Sequence, residues 1–359
     1  MRIGHRGSIG AVIILAVLTL SPRLVAQQAK STAPQPSARE TTRTPWGDPD
    51  LQGLWNTQTK TPFQRLLPGE KPPVNEEEGP PIGAPGNTPA VRDTLGQPTK
   101  ERQTGNGPEH WYEFGQAVDT GRASLIVDPA DGRIPALTPE AQKKRQEFDL
   151  SMAGVAKDEP RPGGWLETSD PWMRCITRGL PGMFHPTGYN LNFLITQGPG
   201  WVAIVSEMIH ETRVIPLDGR PALPSTVRQW LGDSRGRWEG DTLVVETTNI
   251  DPRMHGLWQE RDWYGTPNAR ITERYRRVDA NTIDFQYTID DPTQYTRPWT
   301  VAIPWRSENA ADRIFEYACH EGNISITNVL SGARARDKAR AAKKPGARKT
   351  AAAKTAGGR

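Results

Sequence analysis

The 359-residue chain has little cysteine and little histidine: two Cys, Cys175 and Cys319, and six His. Two cysteines cannot build a disulfide-only scaffold. With neither a Cys-x-x-Cys nor a His-Glu-x-x-His run, the standard zinc spacings are missing too. Walker-type and dinucleotide-type glycine loops are missing as well, because Gly232, Gly236 and Gly240 sit in strand turns with no helix after them. Phosphoryl transfer and nicotinamide chemistry are therefore not expected, nor is a serine nucleophile of the elbow type, which needs a sharp strand-to-helix turn. No metal and no cofactor are expected; the metal alternative is His185, His210, His255 and His320 with nearby carboxylates. Hydrophobic residues are only 35% of the chain, diluted by 33 Pro and 34 Gly, yet the length suffices for a buried core.

Beyond the N-terminus no segment is apolar enough to cross a bilayer. Arg2, His5 and Arg6 precede an apolar run from Ile9 to Leu20, and Leu24-Val25-Ala26 resembles a small-residue cleavage site. Residues 1–26 thus read as an export signal, with an uncleaved anchor as the alternative; the run is shorter than the ~20 residues a span needs. Neither Cys lies near that site, which disfavours a lipid anchor. The expected location is the periplasm or the exterior, where Cys175 and Cys319 can pair; two buried thiols are the alternative.

The formal net charge of +4 hides an asymmetry: residues 1–44 carry +5 and residues 334–359 carry +9, leaving −10 for residues 45–333. An acidic folded part repels phosphate, so it is not expected to bind nucleic acid. Residues 334–359 read as a disordered basic tail, either merely solvated or resting on anionic surfaces. Residues 27–44 read as a linker and residues 45–120 as an irregular Pro/Gly-rich wrap, with Asp48–Trp55 as its docked anchor. Thr138 and Pro139 open one short helix running to about Leu150.

From residue 189 onward the pattern becomes strands: 190–197, 201–207, 210–216, 227–231, 237–238, 242–248, 270–278, 282–289, 300–305 and 313–319. Gly198-Pro199-Gly200, Gly232 to Gly236, Glu239-Gly240-Asp241 and Asp279-Ala280-Asn281 supply turns. With no crossover helices the strands must be mostly antiparallel. Residues 121–333 are therefore expected to be mainly β, a meander closed into a barrel or folded into a two-sheet sandwich.

Three blocks carry a resemblance: Thr44-Pro-Trp-Gly-Asp-Pro-Asp-Leu-Gln-Gly-Leu-Trp55, Gly236-Arg-Trp-Glu-Gly-Asp-Thr-Leu-Val-Val-Glu-Thr-Thr-Asn249 and Phe315-Glu-Tyr-Ala-Cys-His-Glu-Gly-Asn323. As a set they resemble a group of uncharacterised exported bacterial proteins, which implies export and no particular reaction. The strand-turn-strand rhythm is similar to lipocalin-type (calycin) barrels by fold analogy alone.

Tryptophan is unusually abundant, 12 against 7 Phe and 7 Tyr. Indoles either line a pocket for an aromatic or sugar-like ligand, with Trp201 and Trp305 among the candidates, or fill the core. Extended alternation through 201–215 puts Glu207, Glu211 and Arg213 on the face of Val205, Ile209 and Ile215, unless a break near Met208 changes the register. Charges on an apolar face need partners. Two carboxylates beside an arginine suit anion binding or proton transfer; a structural ion network is the alternative. Around Cys319 lie Glu316, His320 and Glu321, and a disulfide would bring them near Arg174. Candidate proton-transfer residues are Glu207, Glu211, His320 and Glu321. Candidate ligand contacts are Arg174, His185, His210, Arg213, Glu316, Trp201 and Trp305. The reading is a small-molecule-binding β-barrel with a Trp-lined pocket, for an anionic or aromatic ligand; the alternative is a cofactor-free lyase or hydrolase.

Overall fold

Strict alternation governs the strand Thr282–Asp290: Ile283, Phe285, Tyr287 and Ile289 are buried, while Asp284, Gln286 and Thr288 between them are half-buried. The same period recurs through most of the fold. The computed structural model describes residues 42–59, 61–70, 103–104, 107–108, 120–151, 171–172, 174–186, 190–253, 268–307, 314–321, 323 and 325–342. In chain order the strands are β1 (Gly53–Asn56), β2 (Gln103–Thr104), β3 (Gly107–Pro108), β4 (Ile126–Asp128), β5 (Asn192–Gly198), β6 (Trp201–Ser206), β7 (Thr212–Pro216), β8 (Asp233–Glu239), β9 (Thr242–Thr248), β10 (Arg270–Asp279), β11 (Thr282–Asp290) and β12 (Trp299–Arg306). Helix α1 spans Pro139–Ser151 and α2 spans Ser325–Ala342.

Ten strands form one antiparallel sheet, in the order β7-β6-β5-β1-β12-β11-β10-β9-β8, with β4 added on β12; β2 and β3 pair only with each other. Each strand on the nine-strand path runs opposite to its neighbour, so β7 and β8, the two ends, run in the same direction. They do not hydrogen-bond to each other, but they meet through side chains: a Cβ on Gly236 of β8 would lie 2.8 Å from Ile215 and 2.5 Å from Leu217. A larger residue there would have to displace both side chains.

Inward side chains from β5 through β12 share one core. Trp305 stacks on Phe193 with centroids 4.8 Å apart and packs on Phe285 at 4.9 Å; Tyr275 meets Phe285 at 4.6 Å. Phe184, from the short 3-10 turn Gly182–Phe184, plugs this interior at 4.8 Å from Phe285. Outside, Arg237, Arg270 and Glu246, Arg274 and Glu239, and Arg276 and Asp284 form an exposed ladder of ion pairs. Such exposed pairs contribute little each.

Several details depart from the sequence expectations. Asp48–Trp55 does more than anchor a surface wrap: its last residues enter β1, which lies between β5 and β12 with Trp55 buried. Residues 233–236, expected as a turn, already belong to β8. Residues 227–231 make one bridge, Gln229 to Ile250, rather than a strand. Residues 314–319 are not a strand either; they are held by the Cys175–Cys319 disulfide. A second helix, α2, covers residues 334–342, the start of the stretch expected to be disordered, in keeping with the helix propensity of Ala, Arg and Lys. Thr138 caps α1 as expected, its Oγ1 accepting from the Ala141 N–H at 3.2 Å.

Candidate functional site

The hairpin between β6 and β7 does not turn on glycine. Met208–His210 forms a 3-10 turn in which Ile209 (φ 62°) and His210 (φ 42°) are both left-handed. A β-branched residue in this region is strained, and strain of this kind collects at functional sites. Ser206 N–H to Glu211 O (2.9 Å) and His210 N–H to Glu207 O (3.0 Å) close the turn. This is the break at Met208, and it sends the three charged side chains to three different places.

Glu207 is buried, with one donor on each carboxylate oxygen. It accepts from Asn190 Nδ2 at 3.1 Å and Asn192 Nδ2 at 2.6 Å, so it clasps the start of β5. Glu211 is half-buried and accepts from Thr177 Oγ1 at 2.7 Å and from the Arg178 N–H. Burial pushes its carboxyl up to about 7, outweighing these donors and the nearby Arg213 charge. Arg213 points into the core, where Nη1 and Nη2 grip Glu273 at 2.7 and 2.5 Å. Tyr275 donates its hydroxyl to the same carboxylate at 2.5 Å, and the Phe184 ring lies 5.8 Å from the guanidinium. Burial works against the arginine's charge, but Glu273 more than offsets it and holds the guanidinium protonated. Burial, and then Glu273, raise the Tyr275 hydroxyl pKa. Among the described residues the Nε of Arg213 has no hydrogen-bond partner.

Outside this turn, a groove of about 510 Å³ separates β7 from residues 228–235. Glu211, Thr212 and Val214 line one side, Arg228, Trp230 and Arg235 the other. Trp230 is half-buried, and Arg253 sits 4.6 Å from its ring centre. Arg235 pairs with Asp233 at 2.5 Å, and Asp233 accepts from the Leu223 N–H at 2.7 Å.

The structure places Glu211 on the groove, turns the Arg213 side chain into the core and places the other candidates elsewhere. Cys175 and Cys319 are bonded, with Cα atoms 5.7 Å apart, as the export reading expects. Arg174 is half-buried beside that bridge, while Glu316, His320 and Glu321 are exposed on the bridged segment. His210 is exposed, its Nδ1 3.0 Å from Tyr317 O. His185 is buried against Phe63, with ring centres 4.6 Å apart. Trp201 lies 40% exposed over Gly198, and Trp305 is core, its faces already taken by aromatic rings. His255, Trp111, Trp165, Trp258 and Trp263 lie outside the described residues. Among the described residues no three His, Cys, Asp or Glu side chains converge as a metal site.

Two features went unrecognised in the sequence. Glu273 alternates with Ile271 and Tyr275 on the inward face of β10, and a carboxylate in that register was the available signal. Gly232-Asp233-Ser234-Arg235-Gly236 does have the Gly-x-Ser-x-Gly spacing. It runs into β8 rather than a strand-to-helix turn, and Ser234 Oγ is buried 2.9 Å from Thr247 Oγ1, so it is no nucleophile elbow. Compared with known proteins, the chain matches no family model, no curated protein and no solved structure.

Proposed function

We propose that this is an exported small-molecule-binding protein whose sheet closes into a barrel and whose ligand sits in the groove between β7 and residues 228–235. Three features support the barrel: a path of nine successive strands, a shared core, and end strands in side-chain contact at Gly236. The disulfide favours an oxidising compartment. Among the described residues no helix is long and apolar enough to cross a membrane. The ligand class is anionic or aromatic, since the groove is lined by Trp230, Arg228 and Arg235. We also propose that the basic residues of 334–359 rest on anionic surfaces.

One observation carries this reading: the half-buried Glu211 carboxyl, raised to about 7, lines a groove of about 510 Å³ together with the half-buried Trp230. Benzoate and indole-3-acetate serve as probes in a thermal-shift and calorimetric screen against the wild-type protein, Trp230→Ala and Glu211→Gln. Trp230→Ala should weaken any binding found by roughly tenfold or more, whereas Glu211→Gln, which removes a negative charge beside an anion, should keep or tighten it above pH 7. Binding that Trp230→Ala leaves unchanged refutes the site.

The near-neutral Glu211 pKa also favours a second reading, a cofactor-free lyase or hydrolase in which Glu211 transfers the proton. Product formation lost in Glu211→Gln, with ligand binding kept, would select it; ligand recovered unchanged from every incubation would reject it.

A further inference from the structure

Helix α2 changes character part-way along. Ile326, Val329, Leu330 and Ala333, at i, i+3, i+4 and i+7, are half-buried and share one face. Beyond Ala333 that apolar face ends. Arg334, Arg336, Lys338 and Arg340 are exposed, as are Ala335 and Ala339 between them; Asp337 is half-buried. From Lys343 to Arg359 the sequence adds six basic side chains and no acidic one. Whatever Asp337 pairs with, residues 334–359 therefore carry an excess of +9. The bridge from Cys319 to Cys175 comes six residues before α2. Four residues before the bridge lies Phe315, at 72% the most exposed large apolar side chain among the described residues. The bridge thus keeps an exposed ring and a basic helix end on one short tether beside Cys175.

We infer that α2 beyond Ala333, with the basic residues that follow it, docks on the headgroups of an anionic phospholipid bilayer, and that the Phe315 ring enters the headgroup region beside it. This rests on the reading that residues 334–359 meet anionic surfaces, and it names the surface. Three observations favour a bilayer over nucleic acid. The disulfide belongs to an oxidising compartment, where membranes are at hand and nucleic acid is not. The −10 charge of residues 45–333 repels a polyanion lying along the body more than a plane touched by one arm. An exposed phenyl ring gains from entering the boundary between headgroups and acyl chains, and a DNA duplex offers it no such boundary. The bridge also passes any pull on the arm to the body at Cys175, sparing residues 314–319, which form no strand.

The test is co-sedimentation of the full, disulfide-bonded chain with vesicles of phosphatidylcholine alone or of phosphatidylcholine mixed with phosphatidylglycerol, at low and high salt. A duplex DNA oligonucleotide is the competing probe. Residues 1–44, themselves basic, are common to every variant, so differences between variants isolate the arm. The proposal expects binding to the mixed vesicles that weakens at high salt. Replacing Arg334, Arg336, Lys338 and Arg340 together by alanine, which keeps the helix, should weaken that binding by roughly tenfold or more. Phe315→Ala should weaken it by roughly threefold or more and leave any binding to the duplex unchanged. Vesicle binding that either variant leaves unchanged overturns the proposal. If the duplex binds through the four basic residues and the mixed vesicles do not bind, the lipid falls and the anionic-surface reading stands. If neither probe binds, both fall.

Discussion

Glu211→Gln gives the sharpest test of the electrostatics around the β6–β7 turn. Glu211 has an ordinary value of 4.5 and is pushed to about 7 by burial. An acid whose pKa is raised on folding stabilises the native state fully below pH 4.5. Between there and pH 7 the unfolded chain releases the proton and the native chain keeps it, so stability falls with pH and levels off above 7. Each unit is worth about 1.4 kcal/mol, so the full span comes to roughly 3 kcal/mol. Glutamine cannot ionise and still offers an oxygen to Thr177, at a cost of about 1 kcal/mol for the imperfect replacement. The variant should therefore match or trail the wild type at pH 4 and exceed it by roughly 2 kcal/mol at pH 8. In a domain of this size that is about 4–8 °C in Tm. Urea denaturation of both proteins from pH 4 to 8.5, with the disulfide intact, reads this directly. Two stability profiles that stay parallel across this range would refute the assignment of a buried, near-neutral carboxyl to Glu211.

Glu273→Ala should destabilise by about 3–5 kcal/mol in denaturant melts, because it leaves Arg213 charged and unpaired in the core; a loss under 1 kcal/mol would mean the arginine escapes to solvent. Reducing Cys175–Cys319, whose partners are 144 residues apart, should cost up to about 5 kcal/mol, measured by urea melts with and without dithiothreitol. Trp305→Ala should cost about 3–5 kcal/mol in the same assay and Trp201→Ala less than about 1, because only the first empties packed core.

The sequence made the hairpins legible because each carries its own local chemistry. Gly198-Pro199-Gly200, Glu239-Gly240-Asp241 and Asp279-Ala280-Asn281 all sit between paired strands. The disulfide was readable from compartment and count. What failed was non-local. Nothing near residue 53 announces that β1 will lie between strands from residues 192–198 and 299–306. Residues 227–231 look like a strand but lack a neighbour to complete a ladder. Alternation singled out the charged trio Glu207, Glu211 and Arg213. Its partners Asn190, Asn192, Thr177 and Glu273 could not be assigned, since the left-handed Ile209-His210 pair redirects each side chain and no propensity foretells that pair.

β5, β6 and β7 form one local meander, and β8 to β12 another; among the described residues of the hydrogen-bonded sheet the two are buttoned together only by the four residues of β1. That button belongs to a stretch of chain which precedes both halves by well over a hundred residues, so each half can zip early while their union waits on a distant loop closure. The same arrangement makes the protein a natural split-complementation pair: residues 42–59, added as a free peptide, would fasten a chain that begins after them.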